Sequence, residues 1–275
     1  MKDEETTAVE SNALLEARHS FTLVELKILL MVISRIKKDD QDFAPYRIYT
    51  SEFRDLSAVK SHNAYYKYLL KTSRTLRKKE IVIETEKGHL ITGYFSDIEL
   101  YKNDGYMDFY ISPKMHPYLL QLKSEFTVYD IRNVINCKSV HSIRIYQILK
   151  QYEKIGNRTI RLADLKFILG MNKDQYPRWN NFRSRILETA RKELKKHSDI
   201  YFEYETKRQG RLIDKITFNI KKQRQRRLFD GKPGPNLADA IPLASYHKSA
   251  DETLERLKEE GSGAIPMPKN LKDRN

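Results

Sequence analysis

One order of predicted elements occurs twice in this sequence, and it constrains the fold more than any other feature. In each copy a helix is followed by a short strand, a short helix, a longer basic helix and a β-hairpin. The second copy consists of SVHSIRIYQILKQYEKIG, NRTIRL, ADLKFILGM, WNNFRSRILETARKELKKHS and the strands IYFEYET and LIDKITFNIKK. Few residues are identical between the copies, so only the element order repeats. This repeat excludes a single large sheet.

A helix-turn-helix followed by a hairpin is the element order of a winged helix. We therefore predict an α+β fold with two tandem winged-helix domains, residues 13–122 and 123–223, joined through a helical segment, FTVYDIRNVIN. Residues 1–12 are predicted to be a flexible N-terminus. Residues 224–275 are rich in proline, polar and basic residues and are predicted to be a largely disordered tail with one short exposed helix.

Local signals support the element boundaries. Thr22 and Glu25 have the spacing of a capping box, which predicts a helix start. Gly156 is predicted to close the first helix of the second copy. In the first copy, IVIETEKGHLITGYFSDIEL predicts two strands around a turn at Lys87–Gly88, and YKNDGYMDFYIS predicts another turn and strand.

The charge of the chain indicates a polyanionic partner. Lysine and arginine number 51 against 37 acidic residues, a net charge of +14. Nucleic acid and an anionic membrane surface both fit such a balance. The positive charge lies on helix faces and hairpins without a large apolar face, which favours nucleic acid over a membrane. The longest apolar run, Leu26–Ile33, contains Lys27 and is far shorter than the roughly 20 residues of a membrane span.

The N-terminal sequence and the cysteine content indicate a cytoplasmic protein. MKDEETTAVES is polar and acidic, unlike a secretion signal. The single cysteine, Cys137, excludes an internal disulfide and is predicted to be a small buried residue.

The second basic helix is the strongest candidate for a functional surface. When Phe182, Ile186, Ala190 and Leu194 point inward, the opposite face carries Asn180, Asn181, Arg183, Ser184, Arg185, Arg191, Lys192 and Lys195. Arginine bonds guanine, and asparagine bonds adenine, through two hydrogen bonds each. The alternative is a solvated charged face. We predict base reading, because a helix-turn-helix order precedes this face and a basic hairpin follows it.

Two further basic segments flank or mirror this helix. Lys207, Arg208 and Arg211 surround the hairpin turn at Gly210 and are predicted to contact phosphates or a minor groove, although a plain soluble turn has the same pattern. The first basic helix exposes Asn63, Lys67 and Lys71 when Tyr66, Leu69 and Leu76 point inward. Its tyrosines fit a protein interface as well as DNA contact, so both interpretations stay open.

Enzymatic motifs are missing from the sequence. There is no phosphate-binding loop of the G-x-x-x-x-G-K-[ST] type and no close pair of histidines for the metal site of a DNA-nicking enzyme. Asp97, Glu99, Asp104 and Asp108 are predicted to be a soluble acidic surface rather than a metal site. We therefore predict no catalytic residue, no metal and no cofactor.

The sequence resembles the iteron-binding plasmid replication initiators, the Rep family with two winged helices. The resemblance covers roughly residues 14–222 and depends on SEFTVYDIRNVINCKSVHSIRIYQILKQY, IRLADLKFILGM, FRSRILETARKEL and KITFNIKK. In the first of these a Phe-Thr start leads to Ser139, Ser142, Arg144, Tyr146, Leu149, Lys150 and Tyr152. The tail from residue 224 has no assigned counterpart.

This resemblance implies a function and a set of partners. Such bacterial initiators bind direct repeats, the iterons, at a plasmid origin, open it and recruit host DnaA, helicase and other replication proteins. Monomers initiate, while dimers repress the initiator's own promoter or pair origins. The resemblance makes Arg178, Asn180, Asn181, Arg183 and Arg185 the base-reading candidates, and Lys207, Arg208 and Arg211 the wing contacts. The sequence leaves a winged-helix transcription regulator without a replication role as the alternative.

Overall fold

The computed structural model describes residues 6–37, 40–54, 62–85, 87–101, 104–120, 122, 124–172 and 174–223. The predicted tail, residues 224–275, and the part of the first copy's short helix after residue 54 lie outside this range. Within the described residues, none of the helices has the length and apolar character that crossing a membrane requires.

The elements from residue 7 to residue 119 form the first half of the fold. In chain order they are β1 (Thr7–Ser11), α1 (Asn12–Glu16), α2 (Leu23–Ile33), β2 (Tyr46–Tyr49), α3 (Thr50–Arg54), α4 (His62–Arg77), β3 (Ile81–Thr85), β4 (Gly88–Thr92), β5 (Phe95–Leu100), β6 (Tyr106–Ile111) and α5 (His116–Leu119). Strands β2, β6 and β5 form an antiparallel three-stranded sheet in that order, and β3 pairs with β4 as a separate hairpin. This half contains the helices α3 and α4 and the β3–β4 hairpin of the first predicted copy, and the residues between α3 and α4 lie outside the described range.

The elements from residue 126 onward form the second half. They are β7 (Phe126–Asp130), α6 (Val140–Lys150), β8 (Asn157–Arg161), α7 (Leu162–Ile168), α8 (Trp179–Phe182), α9 (Glu188–His197), β9 (Ile200–Gln209) and β10 (Leu212–Lys222). A 3-10 turn, Ile131–Asn133, follows β7, and a π-helical turn, Arg183–Leu187, joins α8 to α9. Strands β8, β10 and β9 form the antiparallel sheet of this winged helix.

Helix α2 begins where the sequence predicts. The Thr22 hydroxyl accepts a hydrogen bond from the Glu25 amide, and the Glu25 carboxylate accepts one from the Thr22 amide at 2.8 Å. This reciprocal pair satisfies two amide groups that the first helical turn leaves without a partner. Every residue from Glu25 to Ile33 is buried, so α2 is the central helix of the first half.

The predicted flexible N-terminus is wrong for residues 7–11. These residues form β1, which pairs antiparallel with β7 in a two-stranded sheet. The predicted helix over the joining segment FTVYDIRNVIN is also wrong at its start, because the first five residues form β7. Buried Thr127 and Tyr129 alternate with exposed Phe126 and Val128, which is the period of a strand with one covered face.

A buried polar network joins this small sheet to α6. Glu10 is 2% exposed and accepts hydrogen bonds from the Tyr129 hydroxyl and, at 3.1 Å, from the Gln147 amide. Arg144 donates to the Gln147 side chain at 2.9 Å and to the carbonyl oxygen of Leu15 at 2.7 Å. Removing one member of such a network leaves its partners buried without hydrogen bonds, which costs free energy.

A second contact brings the N-terminal segment against the second winged helix. Arg158 of β8 forms two 2.8 Å hydrogen bonds with the Glu16 carboxylate and one with the carbonyl of Ile148. At the end of α7, Gly170 has a φ of +71°, and a Cβ at this position would lie 2.5 Å from the carbonyl oxygen of His19. Only glycine fits both this backbone conformation and this close approach.

The strands of the first half also differ from the prediction. HLITGYFSDIEL was predicted as one strand, but it is divided into β4 and β5 around Gly93 and Tyr94. Tyr94 is 3% exposed, and its carbonyl accepts a hydrogen bond from the Ser112 amide, so the chain turns into the core at this point. Strand β5 then pairs with β6 and not with β3. The predicted turn at Lys87–Gly88 is confirmed by the pairing of β3 with β4.

Candidate nucleic-acid interface

The basic helix of the second half has a buried side that the sequence predicts correctly. Phe182, Ile186, Ala190 and Leu194 are between 0% and 2% exposed. They anchor the helix on the core, and α9 packs against α6 and β9. The face that projects away from the core therefore has a fixed orientation, which a base-reading surface requires.

The predicted long helix is helical from Trp179 to His197, but it contains a π-turn that the sequence did not predict. Its hydrogen bonding changes to the π-helical pattern over Arg183–Leu187. A π-turn contains more residues per turn than an α-helix, and three exposed residues, Arg183, Ser184 and Arg185, follow one another between buried Phe182 and Ile186. Such turns occur frequently at functional sites. Both of the arginines that were predicted to read bases in this helix segment lie within it.

The structure places the other predicted base-reading residues around the same helix start. Arg178 occupies the N-cap position of α8. The exposed polar residues of the helix and its N-cap are Arg178, Asn180, Asn181, Arg183, Ser184, Arg185, Lys192, Lys195 and Lys196. All of them except Ser184 present hydrogen-bond donors on long or amide-bearing side chains, so this surface is suited to acceptors on base edges and phosphates.

A lysine that the sequence analysis missed holds the turn before this helix. The Lys166 ammonium of α7 donates to the carbonyl oxygens of Gln175 at 3.2 Å and Tyr176 at 2.9 Å. It also lies 5.6 Å from the centroid of the Phe182 ring, and burial lowers the pKa of Lys166. Tyr176 has a φ of +53°, which is uncommon for a residue with a side chain. Lys166 thus fixes the angle at which the chain enters α8.

Arg191 differs from the other predicted DNA-binding residues because it is already paired. Its Nε lies 3.1 Å from the Glu203 carboxylate of β9, and its Nη1 lies 3.3 Å from the Glu188 carboxylate. The side chain is 38% exposed. Glu188 also accepts a 2.8 Å hydrogen bond from the Tyr204 hydroxyl, and burial together with this bond raises the pKa of Tyr204. The pair with Glu188 follows from helical spacing, but the pair with Glu203 requires the tertiary fold.

These residues line a polar groove between the helix and the hairpin. Its lining residues are Trp179, Arg183, Glu188, Arg191, Glu203, Tyr204, Glu205 and Thr206. The groove contains both arginines and glutamates, whereas the exposed face of the helix carries mainly basic and amide side chains. The groove is therefore suited to selective polar contacts more than to uniform attraction of phosphate.

The hairpin of β9 and β10 forms the wing of the second winged helix. Gly210 has a φ of +61° in its turn, and Lys207, Arg208 and Arg211 are all exposed around it. Leu212 at the tip is 76% exposed. A register shift between Ile213 and Lys215 marks a bulge, which increases the local twist of a hairpin.

The predicted inward face of α4, the basic helix of the first half, is confirmed at Leu69 and Leu76, each 2% exposed, and is wrong at Tyr66. Tyr65 and not Tyr66 is buried, at 5% exposure, and its hydroxyl donates to the carbonyl oxygen of Thr50. Lys67 and Lys71 are exposed, one helical turn apart. Asn63 lies in α4, but its side chain is outside the described part of the structure.

Two acidic residues of the first sheet have partners, which are an arginine for Asp108 and two tyrosine hydroxyls for Glu99. Asp108 forms two hydrogen bonds with the guanidinium group of Arg47, at 2.8 and 2.9 Å, and that guanidinium group lies 3.7 Å from the centroid of the Tyr106 ring. Glu99 accepts hydrogen bonds from the hydroxyls of Tyr101 and Tyr110. Within the described residues, no group of three or more His, Cys, Asp or Glu side chains is arranged to hold a metal ion.

Two winged helices with a basic helix and a wing define a class, the two-domain winged-helix proteins that bind DNA. Family models identify the group within this class: "Initiator Replication protein, WH1" matches residues 7–150, and "Initiator Rep protein, WH2" matches residues 161–220. The chain therefore belongs to the initiator Rep family, a family of DNA-binding plasmid replication initiators with two winged helices.

Two solved structures are similar to this chain. The first is described as the crystal structure of Pi initiator protein in complex with iteron DNA. It has a TM-score of 0.64 and 19% sequence identity, and the match covers 80% of this chain and 98% of that chain. At this identity it shows a shared fold. The second is the WH1 domain of MSBI1.176, a replication protein isolated from a multiple sclerosis patient, with a TM-score of 0.27, 18% identity and coverage of 34% and 75%, respectively.

Proposed function

We propose that this chain initiates plasmid replication by binding directly repeated iterons at its origin through the second winged helix. The observation that carries this proposal is the exposed set of arginine and asparagine side chains on and beside the π-turn. Helix and hairpin in such an arrangement place base-contacting residues in a major groove and basic wing residues at the flanking backbone or minor groove. The iteron complex of Pi initiator protein, which has the same fold, supports this assignment.

In this proposal Arg178, Asn180, Asn181, Arg183 and Arg185 contact base edges. Lys207, Arg208 and Arg211 contact phosphates and give affinity and register with little sequence information. Arg191 contributes beside them from its position between two carboxylates. Asn63, Lys67 and Lys71 of α4 contact DNA next to the iteron.

We extend the proposal to the consequences of binding. Several copies on neighbouring repeats bend the DNA and strain an AT-rich segment, so the origin opens by binding energy without a catalytic step. Host DnaA and helicase are then recruited. A dimer in equilibrium with the monomer represses the protein's own promoter. Membership of the initiator family supports these steps, and each requires its own measurement.

Footprinting of the purified chain on the DNA next to its own gene tests the central proposal. We expect protection that recurs at regular intervals over direct repeats, with distortion in an adjacent AT-rich segment. Protection of one inverted repeat at the promoter alone would favour the alternative, a transcription regulator without a replication role. Protection without sequence preference would contradict base reading by the α8–α9 helix.

A further inference from the structure

A cavity lies between the N-terminal segment and the second winged helix, and Gln175 and Tyr176 of the turn before α8 line it from below the proposed recognition helix. Its volume is about 220 Å³, well above the roughly 10–15 Å³ that one water requires. His19 lines one side, Val140, His141 and Arg144 of α6 line another, and Gly170 lies at the end of α7. Among the described residues that line it, none is acidic.

His19 is held in this cavity with unused hydrogen-bonding capacity. It is 5% exposed, and neither ring nitrogen has a hydrogen-bond partner among the described residues. The ring is fixed by aromatic neighbours, with its centroid 5.0 Å from that of Phe21 and 6.1 Å from that of Tyr94. A buried imidazole without a partner is costly, so the cavity is expected to supply one.

Arg144 adds a fixed positive charge next to His19. It is 3% exposed, and its two terminal nitrogens bond Gln147 and the carbonyl oxygens of Leu15 and Ala17. The Nε of Arg144 has no hydrogen-bond partner among the described residues. Glu10 and Glu16 attract this guanidinium group through space without a hydrogen bond to its Nε. A buried guanidinium N–H without an acceptor favours an oxygen acceptor beside it, and a charged acceptor forms the stronger bond.

The N-terminus of α6 also favours an anion in this cavity. Val140 and His141 are its first two residues, and the first amide groups of a helix have no intrahelical partner. The N-cap residue Ser139 makes no side-chain capping bond, although its amide and that of Lys138 donate to Glu193. The Nδ1 of His141 is buried and has no partner among the described residues. A helix start that adjoins buried cationic and imidazole side chains is suited to an oxyanion.

We propose that this cavity binds a free oxyanion of the phosphate class, held by His19, Arg144 and the N-terminus of α6. The anion links the segment before α2 to α6 and α7, so its binding stabilises the contact between the N-terminal segment and the second winged helix. The ligand is a free anion and not a phosphodiester of duplex DNA, because His19 and Arg144 are almost completely covered by protein.

The test titrates the full-length chain with inorganic phosphate, with chloride replaced so that ionic strength stays constant, and follows the midpoint of thermal unfolding. Wild type should show a saturable increase in the unfolding midpoint. His19→Phe places an apolar ring among Phe21 and Tyr94 and removes both nitrogens. We expect this variant to be no less stable without phosphate and to bind phosphate at least tenfold more weakly. His141→Gln should also weaken binding, and it decides the test if His19→Phe does not fold.

His89→Gln is the matched control, because His89 is exposed on β4, and it should keep the wild-type response. An equal saturable shift in wild type and His19→Phe would overturn the proposal, since phosphate would then bind the basic surface. No shift in wild type would also overturn it. If His19→Phe lost as much affinity for duplex DNA as the wing variant Arg208→Ala, the site would bind a DNA phosphate, and the proposal of a free anion would be wrong.

Discussion

Arg191 of α9 and Glu203 of β9 form an ion pair with 3.1 Å between Nε and Oε2, so a basic residue of the proposed recognition helix is bound to the wing. Glu188 binds the same guanidinium group from the other side at 3.3 Å. These two carboxylates reduce the attraction of Arg191 for any phosphate backbone. They also fix its position, which favours a specific contact over a non-specific one.

Glu203→Gln should therefore increase non-specific DNA binding more than specific binding. Release of Arg191 and loss of one negative charge are expected to strengthen binding to random duplex about threefold, in the range of partly exposed ion pairs. The ratio of specific to random affinity should fall. Fluorescence anisotropy at several salt concentrations measures both affinities. Glu205→Gln changes the same charge on the same strand at an exposed position, and an equal effect there would exclude a special role for the Arg191 pair.

Arg183→Ala and Arg208→Ala should affect DNA binding in different ways. Loss of Arg183 from the π-turn should weaken specific binding by about 1–3 kcal/mol and relax the preference at one base position. Loss of Arg208 from the wing should weaken all sequences similarly and make the salt dependence less steep. Competition against single-base iteron variants separates the two. Equal losses on specific and random DNA for Arg183→Ala would refute its base-reading role.

Lys166→Met should loosen the entry to the recognition helix. The substitution keeps the length of the side chain but removes the hydrogen bonds to the carbonyl oxygens of Gln175 and Tyr176. We expect a loss of about 1–3 kcal/mol in the free energy of unfolding and weaker specific binding, because these bonds involve a charged donor. Urea denaturation and anisotropy provide the two readouts. Lys196→Met, at an exposed position of α9, should be close to neutral, and similar losses in both variants would contradict this role.

Gly170→Ala and Gly210→Ala form a matched pair, because both glycines have a positive φ. At Gly210 a Cβ meets nothing within 4 Å, and the expected cost is the backbone strain of about 1–2 kcal/mol. At Gly170 the same Cβ would lie 2.5 Å from the backbone oxygen of His19, so the loss should exceed that of Gly210→Ala by at least about 1 kcal/mol. Chemical denaturation measures both. Equal losses in the free energy of unfolding would show that the backbone at His19 moves away from the added Cβ without a measurable energetic penalty.

The buried Glu10 carboxyl should make stability depend on pH. Burial raises the pKa of Glu10 above its ordinary value of 4.5, opposed by its hydrogen bond from Tyr129. A carboxyl group with a raised pKa binds its proton more tightly in the folded state, so its stabilising contribution is present below pH 4.5 and is lost as pH rises through the folded pKa. Glu10→Gln should remove this component and flatten the decline above pH 4.5. A pH series of urea unfolding curves checks this, and parallel profiles of the two proteins would contradict it.

Features set by local periodicity could be predicted from the sequence. The capping box at Thr22, the buried side of the α8–α9 helix and the order of elements in both copies all depend on residues a few positions apart. The family could also be predicted, because each of the four segments that carry the resemblance is a short local motif, such as Ser139 to Tyr152 on and around α6. The domain boundaries at residues 122 and 223 remain predictions.

Features set by contacts between distant residues could not be predicted. β1 is polar enough to resemble a flexible terminus, and only its partner strand makes Glu10 a buried residue. On α4, Tyr65 and not Tyr66 points inward, and the Tyr65 hydroxyl donates a hydrogen bond to the carbonyl oxygen of Thr50. The π-turn and the pair between Arg191 and Glu203 have no signature in spacing, since they depend on how the helix rests on the core and on the wing.

The pairing of β1 with β7 also has a consequence for the order of events during synthesis. Glu10 and Tyr129, which bond across this sheet, are 119 positions apart in the chain. At about 5–20 residues per second, the ribosome makes Tyr129 on the order of 6–24 s after Glu10. Among the paired strands of the described residues, β1 therefore waits longest for its partner to be made. Folding of the N-terminal half is complete only when translation has already entered the second half.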